Sequence, residues 1–259
     1  MIHCFRVLVL SLAPALAGQT QSLPVLLGDY YIKRGNIWAG RGELDRAISD
    51  YDLAIAAHPL LAEAFYYRGE ARRAKHELEA AVADYTRAIK INPRLVEAYT
   101  NRGLVLFSQG ELKRALADLD LAIKLSPSAV AYLNRGLVRQ EKKDQDGAMA
   151  DFYRAIALDP VLAEAYNSRG IAWSDKGQFD NAIADFNRAI ELNPKYYRAY
   201  VNRGLVRLLQ GEESDAQRDF DQCLSLNPSL KALLEQRIKK VKQQRADSPP
   251  LRPRDMAPP

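Results

Sequence analysis

The sequence is poor in the residues that build reactive centres. Of its 259 residues only two are cysteine, three histidine, three methionine and two tryptophan. Cys4 and Cys223 lie at opposite ends of the chain. Loss of an N-terminal leader would leave one cysteine, and one cysteine closes no internal disulfide, so packing must supply the stability. His58 and His76 stand at turn positions without the spacing of metal ligands, and both are expected to be solvated. There is no phosphate-cradling glycine loop and no pairing of nucleophile with base. These gaps exclude an enzyme reading and leave no cofactor to name. Cys223 is expected to be a small buried filler.

The sequence also lacks a long apolar run. The longest is "VLVLSLAPALA" at positions 7–17, eleven residues, where a membrane-spanning helix needs about 20. Arg6 precedes the run, and Ala15 and Ala17 end it with the small side chains that a signal peptidase reads. Residues 1–17 are therefore expected to be a cleaved secretory leader. Its brevity points to a bacterium and hence to the periplasm. Cys4 precedes the run, so it is not a lipid-modified cysteine, and there is no twin arginine.

Nor is there a charge excess over most of the chain. The formal net charge is +5, yet the first 228 residues hold 29 cationic and 29 anionic side chains. The surplus belongs to 229–259, with eight Lys or Arg against three Asp or Glu. A neutral body with a basic tail is not the footprint of a nucleic-acid-binding fold. At most such a tail makes a weak contact with an anionic surface.

What the sequence does contain is repetition. "NRGLV" occurs at 101–105, 134–138 and 202–206, and its glycine recurs as Gly35, Gly69, Gly103, Gly136, Gly170 and Gly204. Four residues before each glycine stands an aromatic, from Tyr31 to Tyr200. Twelve after it stands alanine, from Ala47 to Ala216. Sixteen after it stands an aromatic such as Tyr51 or Phe152, with Leu119 the exception. Nineteen after it stands alanine, with Cys223 the exception, and twenty-four after it proline, from Pro59 to Pro228. The aromatic and the glycine share one face of a first helix. Alanine, aromatic and alanine share one face of a second, and proline ends it by disfavouring helical geometry in the residue before it. Gly42, Gly110, Gly177 and Gly211 mark the turn between the two. Six mid-helix glycines cost about 1 kcal/mol each relative to alanine, so close approach is expected in return, with glycine facing an alanine of the next helix. The segment from Pro127 to Tyr132 is one residue shorter than its counterparts, which predicts an irregular seam there.

The pattern resembles the tetratricopeptide repeat over residues 28–228, about six repeats. The arginine that here precedes every glycine departs from the leucine common in the family. The resemblance implies an all-α, right-handed superhelical solenoid of stacked helix-turn-helix units. Residues 18–27 are then a linker, 229–244 a capping helix, and 245–259 a proline-rich disordered tail.

Two ladders run through the repeats. Arg34, Arg68, Arg102, Arg135, Arg169 and Arg203 are each followed sixteen residues later by Asp50, Asp84, Asp118, Asp151, Asp185 and Asp219. They are expected to pair, because a guanidinium grips a carboxylate with two hydrogen bonds. Whether they pair within a repeat or between repeats is open. In the second ladder, Asn101, Asn134, Ser168 and Asn202 stand two residues before the glycines, and Leu104, Leu137, Ile171 and Leu205 one residue after. The resemblance places this face on the concave groove where family members bind peptides. In the O-linked N-acetylglucosamine transferase members, asparagines at the matching slot hold the backbone of an extended peptide. Ser168 departs from that row. The family's lysine–asparagine clamp for C-terminal carboxylates is not evident. The expectation is an exported, non-enzymatic protein-interaction scaffold that binds a partner peptide in this groove. A module that self-associates through its ends and a surface binder acting through the basic tail are the alternatives.

Overall fold

A computed structural model describes residues 23–247. Among these residues the chain forms thirteen α-helices and no strand. They are α1 (Leu23–Gly40), α2 (Leu44–Ala57), α3 (Ala62–Ala74), α4 (Leu78–Ile91), α5 (Val96–Ser108), α6 (Leu112–Leu125), α7 (Ala129–Glu141), α8 (Gln145–Leu158), α9 (Ala163–Asp175), α10 (Phe179–Leu192), α11 (Tyr197–Gln210), α12 (Glu213–Leu226) and α13 (Lys231–Asp247). A single 3-10 turn, Pro228–Leu230, precedes α13. The helices pair in order within the repeats, α1 with α2, α3 with α4, α7 with α8, α9 with α10 and α11 with α12. The chain divides into two compact units, one up to Val105 and one from Leu106.

Local chemistry sets the helix boundaries. Each second helix stops two residues before its proline, at Ala57, Ile91, Leu125, Leu158, Leu192 and Leu226. The residue in between is extended, as at Asn92 (φ −122°, ψ 92°) and Asn193 (φ −139°, ψ 90°), because the proline ring crowds the α region of its predecessor. Its amide still reaches back to the alanine carbonyl four residues earlier. The turn inside each repeat needs a left-handed residue. Gly42, Gly110, Gly177 and Gly211 supply it in four repeats, while His76 (φ 62°) and Lys143 (φ 65°) are forced into it in the other two. The short connection before α7 is closed by Ser128, whose side chain accepts a hydrogen bond from the Ala131 amide.

The core is built at the glycines. A Cβ on Gly136 would lie 2.5 Å from Cε1 of Phe152, and one on Gly35 2.6 Å from Cε1 of Tyr51. Gly69, Gly170 and Gly204 meet Tyr85, Phe186 and Phe220 in the same way. Each of these five glycines is therefore a seat for the aromatic ring of its own repeat, where the sequence had suggested an alanine of the next helix. The alanines on either side of the ring are fully buried; they bring the helices close enough for the ring to reach its seat.

The ends differ from the sequence expectation. Helix α1 begins at Leu23, inside the segment read as a linker. The closing helix extends to Asp247, so Arg245–Asp247 are helical where a disordered tail was expected. The expected leader, 1–17, and positions 248–259 of the expected tail lie outside the described residues. No helix of the described residues is long and apolar enough to cross a membrane.

Candidate functional site: the faces of the first helices

The arginine ladder is the frame on which this face is mounted, and its pairs lie within repeats. Arg34 donates to both oxygens of Asp50 from Nε and Nη2, at 2.7 and 2.5 Å. Arg68 grips Asp84, Arg135 grips Asp151, Arg169 grips Asp185 and Arg203 grips Asp219 by the same fork. The remaining nitrogen, Nη1, turns to the preceding repeat. It meets Asp52 from Arg68, Thr86 from Arg102, Asp120 from Arg135 and Asn187 from Arg203. Arg169 instead lies 4.5 Å from the centre of the Tyr153 ring. A second arginine, three residues after the glycine, also reaches the aspartate in three repeats: Arg72 to Asp84, Arg139 to Asp151 and Arg207 to Asp219. The carboxylates are buried and fully engaged. Their hydrogen bonds hold the guanidinium protons and push the pKa of Arg34, Arg135 and Arg169 upward. These groups are structural.

In the first unit the second ladder is spent internally. Glu70, one residue after Gly69, accepts from the hydroxyl of Tyr85, from Asn101 Nδ2 at 2.9 Å and from Arg73 at 3.1 and 3.3 Å. Asn101 also reaches the hydroxyl of Tyr66 at 3.2 Å. Tyr67 stacks on Tyr51, whose hydroxyl donates to Asn36 at 2.7 Å. Burial first, and Glu70 second, push the Tyr66 phenol up to about 12. Burial and Tyr67 do the same for Tyr51, also to about 12. Leu104 is half-buried.

The second unit leaves one amide, that of Asn134, uncommitted. Asn134 is 8% exposed, and its side chain has no hydrogen-bond partner among the described residues. Leu137, one turn further along α7, and Ile171 on α9 are half-buried, and Ser168 is buried. Asn202 donates from Nδ2 to Oδ1 of Asn167 at 2.9 Å. Asn167 was not anticipated. It stands immediately before Ser168, so the amide missing from the row is displaced by one residue and still reaches its neighbour. The run "YNSRG" carries that signal.

Leu205 is a correction. It is 7% exposed and packs with Val201, Leu208 and Leu234, so helix α13 covers it and it offers no groove pocket. In the other repeats Ile48, Val82, Leu116, Met149 or Ile183 stands thirteen residues after the glycine, whereas the last repeat places Gln217 there, exposed. The closing helix packs on α11, with Leu234, Ile238 and Val241 in the last core cluster. His58 also differs from its expected solvated role. It is half-buried, and its Nδ1 is shielded without a hydrogen-bond partner. Cys223 is buried in the last core cluster. Among the described residues no group of three or more His, Cys, Asp or Glu side chains is placed to hold a metal ion.

Family comparison agrees with this architecture. Tetratricopeptide repeat models match residues 163–196, 100–163, 69–110 ("TPR repeat") and 197–230. Together they span most of the repeat region, and the chain belongs to the tetratricopeptide repeat family. Among solved structures it is similar to MamA, at 27% identity over 63% of this chain and 96% of that one, with a TM-score of 0.53. It is also similar to a tetratricopeptide repeat protein from Parabacteroides merdae, at 23% identity over 90% of each chain with a TM-score of 0.67. YrrB, described as a TPR protein with an unusual peptide-binding site, is 21% identical over 73% of this chain and 97% of that one, with a TM-score of 0.54. No curated protein matches the sequence.

Proposed function

We propose that this chain is an exported, non-enzymatic adaptor of the bacterial periplasm that binds an extended peptide segment of a partner protein. The ligand lies on the face of α7, α9 and α11. The observation that supports this reading is the uncommitted amide of Asn134, nearly buried, with the half-buried Leu137 one turn further along α7. An asparagine side chain can donate to and accept from one peptide unit at once, and apolar side chains alongside give the neighbouring residues somewhere to bind. The tetratricopeptide repeat is a fold of protein-interaction scaffolds, and the YrrB description names a peptide-binding site in one such protein. Export rests on the leader pattern at 1–17.

A photo-crosslinking residue at Leu137 should capture a discrete partner in intact cells, and the same residue at Arg154, exposed on α8, should not. Equal capture at both positions would refute the site. Fractionation tests the location: a periplasmic product shortened at its N-terminus is expected, and a full-length cytosolic one would refute export.

Self-association through the ends has a steric obstacle. Ala64, Ala98, Ala131, Ala165 and Ala199, five residues before their glycines, are 0% exposed. The equivalent residue in the first repeat is Tyr30, 50% exposed. A preceding repeat cannot stack there at the spacing the internal repeats use.

A further inference from the structure

Helix α13 does more than close the stack. Between it and the faces of α9 and α11 lies a cleft of about 380 Å³. Its floor is apolar, with Ile171, Val201 and Leu234, and Leu233 leans over it while remaining 54% exposed. The bonded pair Asn167–Asn202 lies along one side. That single hydrogen bond uses one donor of Asn202 and one oxygen of Asn167, which leaves the Asn167 amide protons and the Asn202 carbonyl for a ligand. The size and the mix of apolar lining with a few polar groups suit a ligand site.

Two guanidinium groups line the same cleft, Arg198 from α11 and Arg237 from α13. The five ladder and second-row arginines of repeats four to six, Arg135, Arg139, Arg169, Arg203 and Arg207, all hold a carboxylate. Arg198 and Arg237 do not. The side-chain hydrogen bond of Arg198 goes to the adjacent Tyr197 hydroxyl at 3.4 Å, and Arg237 has none among the described residues. Arg237 is exposed, yet neighbouring side chains partly desolvate it and lower its pKa, an effect that a bound anion would offset. Further along α13, Arg245 is anchored to Glu213 at 3.0 Å, so the helix has its own fastening and does not need Arg237 for one. With six cationic and two anionic side chains, α13 repels a basic ligand and attracts an acidic one.

We propose that α13 forms one wall of the binding site, and that the cleft takes a peptide segment carrying an acidic side chain next to an apolar one. The carboxylate lies between Arg198 and Arg237, the apolar side chain on Ile171 and Leu234, and the peptide backbone against the Asn167–Asn202 pair. This rests on the reading of the α7–α9–α11 face as peptide-binding, and it names both the ligand's chemistry and the helix that selects it.

The test uses the full chain and two pools of acetylated, amidated heptapeptides. Both pools are degenerate in apolar residues at alternate positions; one carries glutamate and the other glutamine between them. Retention on the immobilised protein, read by mass spectrometry, should favour the glutamate pool at least tenfold at low salt and less at high salt. An R198Q/R237Q double variant should lose that preference with its thermal unfolding unchanged, since neither arginine holds the fold together. Equal retention of the two pools, a preference that survives the double variant, or no retention of either pool overturns the proposal. If N134A lowers retention of both pools while the arginine variant leaves their ratio unchanged, the wider peptide-binding face stands and the acidic cleft falls.

Discussion

The two units are built on the same frame and finish their exposed helix faces in opposite ways. Around Gly69 the first unit places Tyr67 and Glu70, and Glu70 draws Tyr85, Arg73 and Asn101 into one hydrogen-bonded cluster. Around Gly136 and Gly170 the second unit places Asn134 with Leu137 and Ser168 with Ile171, and no comparable cluster forms. The frame positions are nearly invariant because five rings sit on glycine seats and five arginines grip their aspartates. The positions two before and one after the glycine carry no such duty, so they are free to differ. A face whose polar groups already bond one another has little left for a ligand, whereas one with an idle amide and apolar side chains does.

The largest expected effect tests the shared frame. Asp151 holds two arginines, and its side chain is 2% exposed; Asp50 holds Arg34 alone, which is 40% exposed. D151A strands two cations in a buried setting and should cost about 3–5 kcal/mol. D50A leaves its arginine access to water and should cost about 1–2 kcal/mol. Urea unfolding followed through Trp173 in the second unit and Trp38 in the first reads each loss where it occurs. Equal losses would mean that the ladder is not ranked by burial.

G136A comes next. The methyl group would press on the Phe152 ring, and overpacking of this kind costs about 1–3 kcal/mol, more than the gain in helix propensity of about 1 kcal/mol. Calorimetry should show a lower melting temperature, and F152L in the same chain should recover part of it. A stabilised G136A would show that the ring is not seated on the glycine.

The contrast between the faces is sharpest at two asparagines. N101A removes a donor from Glu70 and should cost about 1–2 kcal/mol of stability. N134A removes an amide without a protein partner, so its stability should change by less than about 0.5 kcal/mol while crosslinking through Leu137 falls. The reverse pattern would exchange the roles of the two units. A modest gain should be common to both units. H76G and K143G relieve left-handed strain, worth about 1–2 kcal/mol, against the entropy that glycine adds to the unfolded chain. Each should gain about 0.5–1 kcal/mol in urea unfolding.

Much of this architecture is legible in the sequence because each frame position is spelled out six times. The spacing from Gly136 to Phe152 and Pro160 fixes two helices, their turn and their end. Periodicity identifies a face but not a depth. Ala148, Phe152 and Ala155 share one side of α8, so the pattern alone did not say that the ring, not an alanine, meets Gly136. The course of α13 was also beyond the pattern, since a helix occurring once has no sister copies to compare. Its apolar stripe was visible at Leu230, Leu234 and Ile238. At the site, the spacing of the asparagine and leucine rows puts them three apart on one helix, but spacing does not say which are already occupied. Asn101 is held by Glu70, thirty-one positions earlier, and such a partnership leaves no trace in local spacing.

The third nitrogen of the ladder arginines gives the first unit a direction. Arg68 and Arg102 each hold on to the repeat before them, and Arg34 turns the same nitrogen to the Tyr30 hydroxyl of its own helix. Fastening therefore runs backwards along this unit, like roof tiles laid from one eave. Amide exchange should be quicker in α1 than in α3, and opening of the unit would travel from α1 inwards.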